Sequence, residues 1–220
     1  MPNLYVITGS HGSGKTTFIK KVKEELGLRN ILFAAISETA RFCPHPVGSK
    51  STPIAQQWIL YHQAFAEVFS SQFSLPVILD RCVVDHYAYY LHWNSGPKIN
   101  LESNLKNYEK VFMLPANEDF LVADGLRPTD IDYQKKIDGT IRKIHRDLGK
   151  LYYNIEEIDP FNNECIETVV DEIERYTPKA SLKIRFPKVH EICGGKLDIA
   201  SYLTLEGILE VMKKVVFNPI

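Results

Sequence analysis

The feature that most constrains this chain is Gly9-Ser10-His11-Gly12-Ser13-Gly14-Lys15-Thr16, a glycine, four residues, then Gly-Lys-Thr. Leu4-Tyr5-Val6-Ile7 before it is a short apolar, β-branched run, the mark of a buried strand. After it, Phe18, Ile19, Val22 and Leu26 recur at helical spacing. A glycine-rich turn between a strand and a helix is where a phosphate-binding P-loop sits. The glycines let successive backbone N–H groups curl around a phosphate, and the helix N-terminus adds its partial positive charge. Lys15 is expected to reach the β- and γ-phosphates and the Thr16 hydroxyl to ligate Mg²⁺. Gly9 to Thr16, with Thr17 behind them, are therefore the expected nucleoside-triphosphate contacts.

Composition narrows the rest. With 220 residues, 45% of them hydrophobic, the chain can bury a real core as one domain with an appendage. A net charge of −1 argues against wholesale nucleic-acid binding. Cys43, Cys82, Cys165 and Cys193 form no Cys-x-x-Cys pair and no His–Cys cluster at zinc spacing, and read as reduced thiols. No signal peptide is expected before so early a strand, and no apolar run approaches the roughly 18 residues of a membrane span. The expected location is cytoplasmic.

Further strands follow in order. Ile31 to Ser37 is apolar and ends at Glu38-Thr39-Ala40-Arg41. A carboxylate and a guanidinium past the carboxyl end of a strand lie where α/β sheets bind ligands, although a surface ion pair also accounts for them. A proline-rich loop leads to a long helix whose apolar face reads Ile54, Trp58, Tyr61, Phe65, Val68 and Phe69. Gln56, Gln57, His62 and Gln63 on that helix suit either a polar ligand or solvent. Pro76 to Leu79 is a strand ending in Asp80-Arg81, and an acid at the tip of such a strand is the expected Mg²⁺-linked carboxylate. The tyrosine-rich run that follows reads as packing before base-stacking.

Tyr108 to Leu114 is a fourth strand. The segment 117–130, with Asp124-Gly125-Leu126-Arg127-Pro128, reads as a mobile lid carrying Arg127. A helix built on Ile137, Ile141, Ile144, Leu148 and Leu151 comes next, with Lys135, Lys136, Arg142, Lys143, Arg146 and Lys150 on its other side. Ile155 to Ile158 is a fifth strand, and Asn162 or Asn163 caps a helix on Ile166, Val169, Val170 and Ile173. Beyond Pro178, Ser181 to Phe186 alternates at period two, and Val189 to Cys193 and Lys196 to Ala200 flanking Gly194-Gly195 read as a tight β-hairpin followed by a helix. The expected architecture is α/β, three-layered, with a mostly parallel five-stranded sheet over residues 1–178 and a β-meander and helix appendage over 179–220.

Gly9 to Thr16, Glu38-Thr39-Ala40-Arg41, Asp80-Arg81 with Asp85, and Asp124-Gly125-x-Arg127 occur in this order. As a set over residues 1–178 they resemble the P-loop kinase family of AAA-domain type that includes the nicotinamide-riboside kinase domain of bacterial NAD regulators. The set is more distantly similar to deoxynucleoside and thymidylate kinases. The resemblance implies phosphoryl transfer from ATP·Mg²⁺ to a nucleoside- or nucleotide-like acceptor. Lys15, Glu38, Asp80, Arg81 and Arg127 are then the catalytic set, Thr16 and Asp80 the Mg²⁺ ligands, and Glu38, Arg41 and Asp85 the acceptor contacts. Either Glu38 or Asp80 could take the acceptor proton. Two other activities fit the sequence: a kinase acting on a modified base or an end within nucleic acid, and a non-catalytic nucleotide-binding module that signals through its lid and appendage.

Overall fold

The computed structural model describes residues 2–93, 99–117 and 131–177. In chain order the elements are β1 (Leu4–Thr8), α1 (Lys15–Leu28), β2 (Ala34–Ile36), α2 (Pro53–Ser70), β3 (Val77–Asp80), α3 (Val83–Trp93), α4 (Glu102–Leu105), β4 (Tyr108–Met113), α5 (Ile131–Tyr152), β5 (Asn154–Glu157) and α6 (Asn163–Tyr176). Short 3₁₀ turns at Thr39–Phe42 and Gly48–Lys50 interrupt the loop between β2 and α2. The lid with Arg127 and the appendage at 179–220 lie outside the described residues. No helix among the described residues is long and apolar enough to cross a membrane.

The five strands pair in parallel in the order β2-β3-β1-β4-β5. Alternation along each strand divides the core. Tyr5, Ile7, Ile78 and Phe112 face Phe18 and Val22 of α1 and Val169 and Ile173 of α6. Leu4, Val6, Leu79 and Val111 face α2, α3 and, through Ile144 and Leu148, α5. Right-handed crossovers demand this arrangement, because the chain leaves β1 and β3 in opposite directions along the sheet. The two neighbours therefore send their helices over opposite faces, and a crevice opens at their carboxyl ends. The register sets Ile7 beside Asp80 there.

Most elements match the sequence pattern, with two differences. The second strand is shorter than Ile31 to Ser37: Ile31 N–H closes the end of α1 on Leu26 O, and pairing starts only at Ala34, whose N–H meets Pro76 O. On α2 the expected apolar face is not the buried one. Ile54 is exposed and Trp58, Phe65 and Phe69 are half-buried, while Gln56, Ile59, Leu60, Gln63 and Glu67 are buried. The aromatic flank covers itself by stacking, Trp58 on His62 at 3.6 Å between centroids and Phe65 on Phe69.

The buried polar side of α2 has a structural reason. Glu67, fully buried, accepts hydrogen bonds from Gln63 Nε2, Asn104 Nδ2, Tyr108 OH and the Val83 N–H. The last is an otherwise orphaned donor at the first turn of α3, where a carboxylate also suits the helix dipole. Burial pushes the Glu67 carboxyl up to about 7, against the donors, which favour the ionised form. Glu67→Ala strands these donors, and a loss of at least about 2–3 kcal/mol in unfolding free energy is expected from urea denaturation. A loss below about 0.5 kcal/mol would mean the donors find other partners.

Candidate active site

The P-loop is built on positive-φ glycines: Gly9 (φ 140°), Gly12 (φ 71°) and Gly14 (φ 79°). At Gly9 the close approach matters as well, since a Cβ there would lie 3.0 Å from Leu114 O and 3.1 Å from Ser13 Oγ. Gly14 ends the loop as the N-cap of α1. Lys15 is buried and turns back over the loop, donating to Ser10 O and, at 2.9 Å, to Ser13 Oγ. Burial first, then the charge of Arg81, lower its pKa to about 7. Thr16 and Thr17 are exposed on the first turn of α1.

Directly after β3 the backbone turns through Arg81 at φ 73°, a left-handed conformation unusual for a side-chain-bearing residue. Three groups fix the turn. Arg81 N–H bonds Ile7 O, Cys82 N–H bonds Asp85 Oδ2, and Val83 N–H bonds Glu67. The guanidinium, 2% exposed, then donates Nε to Glu38 Oε1 at 2.8 Å and Nη1 to Gly9 O at 3.0 Å, with the Tyr89 ring 5.4 Å away. Glu38 also meets Arg41 Nε at 3.4 Å, so the surface-pair reading of Glu38 gives way to a buried bridge to Arg81. Asp80, 8% exposed, keeps Oδ1 without a hydrogen-bond partner among the described residues. Burial raises its pKa, and the Lys15 charge opposes that rise.

Asp85, expected to touch the acceptor, is fully buried instead. It sits at the third position of α3, where an acid can accept from the N-cap N–H, and it does so from Cys82. Its other oxygen takes the Thr8 hydroxyl and lies 3.4 Å from His145 Nε2 of α5. Burial works to raise its pKa, yet the bonds to His145 and Thr8 and the Arg81 charge hold it below the usual carboxylate value. Asp85 therefore positions the turn rather than a ligand. Cys82, Asp85 and His145, with ligating atoms all within 4.8 Å of one another, form a His–Cys cluster that sequence spacing did not reveal. Tyr153 OH on His145 Nδ1 completes a hydrogen-bonded core network.

Beside the P-loop opens a cavity lined by Glu38, Arg41, Gln56, Arg81, His86, Tyr89 and Tyr133, with Val47 and Ile59 as apolar wall. His11 belongs to both loop and lining: its Nδ1 meets Tyr89 OH at 3.1 Å, its ring packs on Tyr133, and its carbonyl accepts from Gln134 Nε2. The tyrosines of α3 thus divide, Tyr87 and Tyr90 entering the core and Tyr89 the cavity.

A family model described as an AAA domain matches residues 4–160. The chain belongs to the AAA-domain family. No curated protein matches it. Among solved structures it is similar to deoxyadenosine kinase from M. mycoides, a structure with the products dCMP and a flexible dCDP bound. The TM-score is 0.54 at 11% identity, over 78% of this chain and 97% of that one. That likeness establishes the P-loop kinase fold.

Within this AAA domain, Lys15, Glu38, Asp80, Arg81 and Arg41 gather around one crevice and cavity, whereas Asp85 stands behind them. The sequence reading took the run with Tyr89 as packing and gave His86 and Tyr133 no role. The first two follow the Asp80-Arg81 pair on the next helix, the one signal available. His86 is 3% exposed, and burial, then Arg81, push its pKa down to about 4. Its folded pKa lies below the unfolded value of about 6.5, so the stability of the neutral ring is complete above pH 6.5 and lost as pH falls toward 4. Relative to His86→Gln, the wild type is expected to lose on the order of 2–3 kcal/mol between pH 7 and 4. Parallel stability profiles from denaturation at each pH would contradict a buried neutral histidine.

Proposed function

We propose that the chain is an ATP- and Mg²⁺-dependent phosphotransferase, passing the γ-phosphoryl group to a hydroxyl or phosphate of a small nucleoside- or nucleotide-like acceptor held in the cavity. Residues 1–178 are the catalytic unit in this reading and 179–220 an appendage. The observation that carries it is the physical continuity of the P-loop and the cavity. Arg81 bonds Gly9 O of the loop and Glu38 of the cavity wall with the same guanidinium.

Phosphoryl transfer needs in-line placement and charge neutralisation more than covalent help from the protein. The P-loop N–H groups, Lys15, Thr16 and Thr17 hold the polyphosphate, whose charge returns Lys15 to its ammonium form. The buried Asp80 Oδ1, without a hydrogen-bond partner among the described residues, and the Thr16 hydroxyl suit a hard cation, and both are oxygen donors. Mg²⁺ held there would neutralise charge on the β- and γ-phosphates. Glu38, lining the cavity, accepts the proton of an attacking hydroxyl as the new P–O bond forms and the bond to the ADP oxygen breaks. Arg41 and Arg81 orient the acceptor, and Arg127 of the lid is assigned to the transferring phosphoryl group.

A small acceptor is favoured over nucleic acid because part of the basic face of α5 is already neutralised. Arg142 pairs with Asp138 and Glu157, and Lys143 with Asp147. The reading is tested with γ-labelled ATP and Mg²⁺ against nucleosides, their 5′-monophosphates, nicotinamide riboside and hydroxymethylated DNA. Label is expected in a small-molecule product. Label on DNA would move the assignment to nucleic acid, and nucleotide binding without transfer to anything would leave a signalling module.

Two sets of variants probe the roles. Lys15→Ala is expected to cut transfer by about 10²-fold or more with the fold retained; unchanged turnover contradicts the nucleotide assignment. Asp80→Asn is expected to raise the Mg²⁺ requirement, and Glu38→Gln to lower kcat with that requirement unchanged. The opposite pattern in a Mg²⁺ titration reverses the two roles.

A further inference from the structure

We infer that His86 is a specificity-determining side chain of the cavity, its ring nitrogen meeting the polar edge of the acceptor's heterocycle. The inference rests on the phosphotransferase reading above. Its first support is geometric. His86 lines the cavity, yet its buried Nε2 has no hydrogen-bond partner among the described residues. A buried polar nitrogen left unpaired costs on the order of 1–3 kcal/mol, so a rotation of the His86 ring that turned it to an occupant's polar group would recover that cost.

The polar groups around it are already engaged. Arg81 donates to Gly9 O and Glu38, the Tyr89 hydroxyl lies on His11 Nδ1, and Gln56 Nε2 donates to Ser51 Oγ.

The second support is chemical. Burial and the neighbouring Arg81 keep the imidazole neutral at physiological pH. A neutral imidazole carries one donor and one acceptor nitrogen and no charge with which to hold a phosphate. Its natural partner is a carbonyl, ring nitrogen, amide or exocyclic amino group. The arginines of the wall, Arg41 and Arg81, both face Glu38, which offsets one of their two charges. The apolar side chains of Val47 and Ile59 and the rings of Tyr89 and Tyr133 supply surface for a flat heterocycle. A site built to hydrogen-bond one polar group discriminates strongly against analogues that lack it.

The test compares wild type, His86→Ala and His86→Gln at saturating ATP·Mg²⁺, with the common ribo- and deoxyribonucleosides and their 5′-monophosphates as acceptors. ATP affinity is measured alongside as a check on the fold. For the best acceptor, His86→Ala is expected to raise KM about tenfold or more while kcat changes by less than about threefold. The ranking among heterocycles should flatten, and His86→Gln should restore part of the preference. If the alanine variant fails to bind ATP, the glutamine variant carries the comparison, with an altered ranking as its expected result. An acceptor whose KM and ranking stay within about twofold in the variants overturns the inference and leaves the phosphotransferase reading intact. Wild-type protein that binds ATP and phosphorylates none of these acceptors overturns the reading, and the inference with it.

Discussion

One guanidinium joins the two halves of this site. Arg81 lies across the crevice between β1 and β3, with Gly9 of the P-loop on one side and Glu38 of the β2 edge on the other. Its planar fork can satisfy both at fixed geometry, which a lysine ammonium at the end of a flexible stem does not reproduce. The backbone that delivers it is held at φ 73°, a conformation that costs about 1–2 kcal/mol for a residue with a Cβ. That cost is met by the surroundings: Ile7 O, Asp85 and Glu67 each take one N–H of the turn or of the helix start behind it.

The supports of the turn reach far into the fold. Glu67 ties α2 and α4 to the start of α3 and to Tyr108 of β4. Asp85 ties the same start to Thr8, the last residue before the P-loop, and to His145 of α5. Each carboxylate occupies the positive end of α3, so that helix N-terminus is committed to structure while the N-terminus of α1 stays with the P-loop. A polar interior of this kind rigidifies the site when every member is paired, and the donors at Glu67 and Asp85 are.

Much of the fold was legible in the sequence because it depends on local pattern. The glycine spacing set the P-loop, apolar runs marked the strands, and Asp80 could be placed beside the P-loop from the usual order of such sheets, as the pairing of Ile7 with Asp80 bears out. What escaped depends on contacts distant in the chain. Periodicity showed that α2 is amphipathic but not which flank turns inward, and here the aromatic flank stacks on itself while the polar one is buried. Asp85 looked like a ligand contact because it follows the Asp-Arg pair, whereas its partners Thr8 and His145 lie 77 and 60 residues away. The cavity wall drew Tyr133 from α5 and Val47 and Gly48 from a loop, with no motif to announce them.

The claim on which the account turns is that Arg81 couples nucleotide and acceptor. Arg81→Lys keeps the charge and removes the fork, so the direct measurement is kcat/KM for the acceptor and Kd for ATP in that variant, with thermal unfolding as the fold control. A fall of at least about tenfold in kcat/KM, with a smaller change in ATP affinity, is the predicted result. An Arg81→Lys enzyme that transfers phosphate within about twofold of wild type would contradict the coupling and reduce the bridge to a packing contact.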